Sequence, residues 1–175
     1  MIIMINGAFG VGKTSVTERL VELIPNSLLY DPELVGYMIR EVIPERIKPE
    51  HERTGDFQDL DIWKELVVTV AKSIKSSYNQ HLIVPMTLYK KENFQYISKG
   101  LKSLDEATHH FCLMADQETI HRRLLERGET PGAWCFQQTS KCLEAFKAGG
   151  FNEYVETVGI NADEIAKQIV ERLKR

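Results

Sequence analysis

Two kinds of apolar run alternate along the chain. Short unbroken runs, Ile2 to Ile5, Leu28 to Tyr30, Leu82 to Val84 and Phe111 to Ala115, read as strands buried on both faces. Between them, apolar residues recur every three or four positions. Val16, Leu20, Leu23 and Ile24 share one helix face, and Phe94, Ile97, Leu101 and Leu104 share another. Ile120, Leu124 and Leu125 mark a further helix that ends near Gly128. The set Leu60, Trp63, Val67, Val70, Ala71, Ile74 and Tyr78 predicts a long helix from Asp59 to Tyr78. Pro32 suits the first turn of a helix that runs to about Val42, because that N–H is unbonded in any case.

The remaining segments complete the pattern. Glu45 to Gly55 is charged, aperiodic and loop-like. Pro85 donates no ladder bond, so the third strand is expected to stop before it, with Met86-Thr87 opening a loop. Gly128 to Ala133 reads as an exposed loop before a helix that passes through Cys142 to Phe146. Tyr154 to Val158 supplies a fifth strand. Asn161 and Glu164 form a capping pair for a last helix bearing Ile165, Ile169, Val170 and Leu173. Strands that alternate with amphipathic helices predict a doubly wound α/β fold: a five-stranded parallel sheet flanked by six or seven helices. At 175 residues the chain is expected to form one domain, 1–175.

Composition narrows the function classes. Hydrophobic residues make up 43% and charged residues 27%, ordinary usage for a soluble globular chain. A formal net charge of -3 and a pI near 6.0 argue against a nucleic-acid binder that relies on overall positive charge. No apolar run is long enough to span a bilayer, and no basic region precedes Met1 to Ile5 as in a secretory signal. With Cys112, Cys135 and Cys142 sparse and forming no C-x-x-C pair, a reduced cytoplasmic setting is expected, with all three as small buried apolar residues. His51, His81, His109, His110 and His121 show no metal-ligand spacing.

The densest chemical signal is Gly7-Ala8-Phe9-Gly10-Val11-Gly12-Lys13-Thr14, which meets G-x-x-x-x-G-K-[ST]. Glycines let successive backbone N–H groups turn inward toward phosphate oxygens, and the helix that follows adds the positive end of its dipole. Lys13 is expected on the β- and γ-phosphates and the Thr14 hydroxyl on magnesium, with Ser15 completing the nucleotide-binding set. The pattern follows a hydrophobic strand and precedes an amphipathic helix, the setting that separates a phosphate loop from a chance glycine turn. ATP and Mg2+ are the implied cofactors.

The same loop opens a series of segments that resembles the tunicamycin-resistance ATP-binding proteins, a branch of the small P-loop kinases. The matching stretches are Ile5 through Thr14, Tyr30-Asp31-Pro32-Glu33, Gly36 through Arg40, Asp56-Phe57-Gln58, and Trp63. Leu82 through Thr87, His109-His110-Phe111 and Arg123 through Arg127 follow in the same order. The resemblance implies strand order 2-3-1-4-5, ATP binding, a helical lid at about 123–142, and handling of a sugar-nucleotide-like antibiotic. The related kinases imply phosphoryl transfer to a small acceptor.

Further candidates follow from position. Asp31 succeeds the second strand, and the carboxyl ends of parallel strands face the ligand crevice. It is expected to accept an acceptor proton or hold magnesium through water, or to cap the helix at Pro32. Arg123 and Arg127 lie four apart on one face, like the lid arginines of small P-loop kinases, where they would neutralise the transferred phosphoryl group. The competing reading is a solvated face beside Glu126 and Glu129, and Arg122 reads as surface. Thr87, at the end of the third strand, is either a ligand contact or a plain turn residue. Glu33, Arg40 and Trp63 could line an acceptor pocket, Arg40 by gripping an anionic group and Trp63 by stacking, although Trp63 also fits a core position. No apolar strand ends in Asp-Glu, which argues against a mechanical ATPase.

Two functions lead, ahead of a slow nucleotide switch, which the lack of a switch-like magnesium aspartate disfavours. One is a phosphotransferase acting on a small sugar- or nucleoside-like acceptor, an activity that could confer tunicamycin resistance. The other is a protein that sequesters an antibiotic with ATP but transfers nothing. The partner in both is a small molecule. The chain carries no signal for nucleic acid or for an oligomeric state.

Overall fold

In the computed structural model, which describes residues 1–151 and 153–174, β1 (Ile2–Gly7) is buried at every position. It has to be, because it lies in the middle of an all-parallel sheet of order β2-β3-β1-β4-β5. The other strands are β2 (Ser27–Leu29), β3 (His81–Met86), β4 (Thr108–Met114) and β5 (Tyr154–Glu156). Parallel strands need crossovers, and helices supply them. These are α1 (Lys13–Leu23), α2 (Pro32–Val42), α3 (Trp63–Tyr78), α4 (Lys91–Leu104), α5 (Gln117–Glu126), α6 (Trp134–Lys147) and α7 (Ala162–Arg172). α1 packs on α7 and α3 on α4, so helices cover the sheet in pairs. The predicted class and strand order are those observed.

Side chains set several helix starts. Asp31 accepts a hydrogen bond from the Glu33 amide at 2.9 Å, Asp116 from Thr119 at 2.7 Å, and Asn161 from Glu164 at 2.9 Å. Each occupies one of the donors a helix leaves unpaired, a contribution of about 1 kcal/mol.

Several boundaries differ from those expected. Pro85 lies inside β3, paired in register with Ile5 of β1. The alternation of the ladder explains this. The Tyr30 amide bonds the Ile83 carbonyl, so residues 81, 83 and 85 direct their backbone groups toward β2. β2 ends at Leu29, so the N–H that proline lacks has no strand to meet. Second, α3 begins at Trp63 rather than Asp59. Asp56 caps a short 3-10 turn at Phe57–Asp59, and Leu60 is extended with ψ 112°. Leu60 reaches the core from that turn, which mimics helical spacing with Trp63. Third, Glu45 to Gly55 contains two 3-10 turns, Glu45–Ile47 and Glu50–Glu52. Fourth, β2 and β4 each start and end earlier than their apolar runs, and β5 stops at Glu156 rather than Val158.

All three cysteines are buried and unbonded to one another, as expected. Burial pushes the Cys112 and Cys142 thiols up to about 12, which keeps them protonated and unreactive.

Candidate active site

The glycine loop leaves the carboxyl end of β1 and closes on itself. Gly10 and Gly12 have φ of 79° and 110°, left-handed values that a Cβ disfavours. At Gly10 a Cβ would also lie 2.8 Å from the Leu124 side chain. Gly12 is the N-cap of α1, and neither a capping side chain nor an acid serves that first turn. The unpaired N–H groups and positive dipole end therefore remain available to an anion.

Lys13 arches back over the loop. Its Nζ donates to the carbonyls of Gly7 at 2.9 Å and Ala8 at 3.0 Å, and lies 5.4 Å from the Phe9 ring centroid. Burial lowers its pKa to about 8, against the opposing pull of Glu33. Behind the loop, Asn6 is wholly buried. Its Oδ1 accepts from the amides of Gly7 and Leu88, both at 2.8 Å, and its Nδ2 donates to the Leu88 carbonyl. One amide thus ties the glycine loop to the segment that follows β3.

The first cavity, about 590 Å³, runs along this loop from Phe9 to Val16 and past Arg123 and Arg127 to Ile160, Ala162 and Ile165. Thr14 and Ser15 line it, exposed. Arg123 holds the wall together: its guanidinium donates to the Val11 carbonyl at 2.9 Å, and to the Thr157 hydroxyl and carbonyl at 2.9 and 2.8 Å. Thr157, fully buried, also donates its amide to Met114. Arg127 is exposed and pairs with Glu129 at 2.8 Å. Arg122 sits on the surface near Glu126.

The second cavity, about 350 Å³, opens beyond Phe9. Its walls are Phe9, Tyr37, Phe57, Trp63 and Trp134, with Pro32 and Met86. Several of these rings are fixed. Trp63 Nε1 donates to the Pro32 carbonyl at 3.0 Å; Phe9 meets Trp134, and Tyr37 meets Phe57, edge-on at 5.0 Å. Gly36 makes room for Phe57, since a Cβ there would lie 2.4 Å from the ring. Arg40 lies at the exposed edge, 4.0 Å from the Phe57 centroid, and donates to the Gly55 carbonyl. Thr87 is buried with no hydrogen-bond partner for its hydroxyl.

Phe9 and Glu33 are the residues common to both cavities. Burial raises the Glu33 pKa, and Lys13 opposes the rise. Asp31 lines neither cavity, and its Oδ1 is engaged as the α2 cap.

The structure therefore brings Lys13, Thr14, Arg123 and Arg127 to one cavity and Arg40, Trp63 and Thr87 to the other, with Glu33 between. The sequence pattern does not single out Asn6, Thr157, Ile160 or Ala162. Asn6 and Thr157 act through the distant backbone they bond, and no local pattern announces that. Ile165 fits the core stripe of the last helix, and its spacing gives no sign of a ligand wall. His51 and Asp61 meet at 3.1 Å beside Glu52 at the surface, outside both cavities, a grouping that spacing does not reveal.

The family model described as an AAA domain matches residues 3–141. No curated protein sequence matches the chain. Among solved structures, the tunicamycin resistance protein of Deinococcus radiodurans is similar, with TM-score 0.79 and 27% identity over 98% of this chain and 94% of that one. A gluconokinase from Sinorhizobium meliloti shares the fold at TM-score 0.68 and 17% identity, covering 99% of this chain and 91% of that one. A shikimate kinase from Acinetobacter baumannii does so at TM-score 0.62 and 15% identity, covering 99% and 92%. With a glycine loop on a 2-3-1-4-5 parallel sheet and an AAA-domain match over most of its length, the chain belongs to the P-loop AAA-domain family and has the small-kinase-like form of its fold.

Proposed function

We propose that the protein is an ATP-dependent phosphotransferase that acts on a hydroxyl of a small molecule. The observation that carries this reading is the junction of the two cavities at Glu33 and Phe9, with Lys13 beside it. A nucleotide phosphate chain along the glycine loop would end where an acceptor in the aromatic cavity begins. The base of the nucleotide would rest on the apolar wall of Ile160, Ala162 and Ile165.

In the transfer, Glu33 accepts the proton of the acceptor hydroxyl. The acceptor oxygen bonds to the γ-phosphorus, the bond from that phosphorus to the bridging oxygen breaks, and ADP leaves. A raised carboxylate pKa suits a base working near neutral pH. Lys13 leaves the Gly7 and Ala8 carbonyls to meet phosphate oxygens, and Arg127 exchanges Glu129 for the transferred group. Arg123 holds the loop from behind through Val11. The 123–142 region, with the end of α5, the start of α6 and the turn between them, acts as the lid. The hydroxyl of Thr14 is a hard oxygen donor that would hold magnesium, with Asp31 reaching it through water. Magnesium, when bound, supplies charge neutralisation on the β- and γ-phosphates.

Sequestration is a second reading, favoured by the aromatic enclosure and by the similarity to the Deinococcus radiodurans tunicamycin resistance protein. Incubation with γ-labelled ATP, magnesium and tunicamycin or simple sugars and nucleosides tests both. Label on an acceptor supports transfer and eliminates pure sequestration. Tight ATP-dependent tunicamycin binding without labelled product supports sequestration for that ligand.

A further inference from the structure

Resting on the reading of the aromatic cavity as the acceptor site, the chemistry of its lining narrows what it takes. Five aromatic rings and Met86 form its walls. Several polar groups among the lining residues already have partners. Asp56 accepts from the Gln58 amide at 2.9 Å and from the Tyr89 hydroxyl at 2.6 Å. Gln58 Oε1 accepts from the Lys90 amide at 3.2 Å. Arg40, the one cation among the described lining residues, is exposed at the edge, turned onto Phe57 and Gly55.

An anionic acceptor would therefore lose its hydration beside Glu33 and Asp56, which is costly. The described lining residues offer no buried cation, and the nearby Lys13 is committed to the glycine loop and, in the proposed transfer, to phosphate. An uncharged ring would gain aromatic stacking and shed water from apolar surface. Among the described residues lining the cavity, one buried polar side-chain atom lacks a partner within the protein: Thr87 Oγ1, on a residue 8% exposed. A buried hydroxyl without a partner destabilises the free protein, and persists where a ligand supplies the bond. Its backbone neighbour Leu88 is held on both N–H and C=O by Asn6, so the position of Thr87 is fixed.

We propose that this cavity selects an uncharged, ring-bearing alcohol, and that the Thr87 hydroxyl is the hydrogen bond that determines its specificity. The cavity volume, about 350 Å³, is at the small end of ordinary ligand pockets and suits a molecule of one or two rings.

The two tryptophans of the chain, Trp63 and Trp134, both line the cavity, so their fluorescence reads its occupancy. Binding is measured on the full chain with magnesium and a non-hydrolysable ATP analogue. The ligands are matched pairs that differ by one charge: uridine against orotidine, and methyl shikimate against shikimate. In at least one pair the neutral member should bind about tenfold tighter or better. Thr87→Val should weaken that member about tenfold, while Thr87→Ser retains it. Thr87→Val should also raise the melting temperature of the free protein, because it removes the orphaned hydroxyl without changing side-chain volume. A hydroxyl with a purely structural role would lower it instead. The inference is overturned if the carboxylates bind as tightly as their neutral partners, if neither member of either pair changes the fluorescence, or if Thr87→Val binds like the wild type. Should neutral ligands bind through Thr87 yet receive no label from ATP, the selectivity stands and the phosphotransferase reading fails.

Discussion

Consecutive residues from Phe9 to Val16 furnish one side of the first cavity, and what they offer is largely backbone and one lysine. The second cavity draws Phe9, Glu33, Phe57, Trp63, Thr87 and Trp134 from separate segments, and offers side chains. Phosphate is recognised by N–H groups and a dipole that any sequence can supply once glycines permit the curve. An organic acceptor is recognised by shape, which must be assembled from parts far apart in the chain. The nucleotide side is therefore a general device, and the acceptor side is where this protein is particular.

Glu33 is the sharpest place to break that division, because it belongs to both sides. Glu33→Gln should reduce phosphoryl transfer roughly 10²- to 10⁴-fold and leave nucleotide affinity within a few-fold of wild type. Asp31→Asn, which keeps a capping oxygen for the Glu33 amide, should alter turnover far less. The reverse ranking, in single-turnover assays, would transfer the role of base to Asp31.

Lys13→Met tests the nucleotide side alone. Transfer should fall roughly 10²- to 10³-fold, with ATP affinity reduced. Acceptor binding followed by tryptophan fluorescence without nucleotide should survive. Loss of both would mean that the two cavities are not separable.

Gly36→Ala tests the acceptor side alone. The added methyl drives into the Phe57 ring, an overpacking of about 1–3 kcal/mol that part of the helix-propensity gain offsets. Acceptor affinity should drop about tenfold, with nucleotide affinity unchanged by calorimetry. Equal losses at both sites would contradict the division.

The smallest effect is a proton. Lys13 has a pKa of about 8 in the free protein, so it is mostly charged below that pH and mostly neutral above it. Phosphate favours the charged form and raises the pKa on binding. Nucleotide binding at about pH 8.5 should therefore take up protons, and at about pH 6.5 almost none. Calorimetry in buffers of different ionisation enthalpy measures the difference. Equal uptake at both values would place the titrating group elsewhere.

Much of this architecture is legible in the chain. The unbroken apolar runs identify the first four strands, and the central ones carry the clearest signal because a strand covered on both faces leaves no polar side. Helix faces and the caps at Asp31, Asp116 and Asn161 are equally local. Expectation and structure part where a local rule meets a non-local answer. The rule against proline in a strand assumes that β3 has neighbours along its whole length, but β2 stops short of Pro85. Leu60 keeps helical spacing with Trp63 from outside the helix.

What the sequence determined by itself was the order of elements and the phosphate loop, since both depend on spacings shorter than one strand or helix turn. Arg123 and Arg127 are placed near that loop by resemblance, but only the tertiary structure divides them. Arg123 grips Val11 and Thr157, while Arg127 stays exposed beside Glu129. The aromatic cavity, the orphaned hydroxyl of Thr87 and the position of Glu33 between two sites were likewise decided in three dimensions. They depend on which faces converge once the sheet is wound, and that is set by packing across the whole chain.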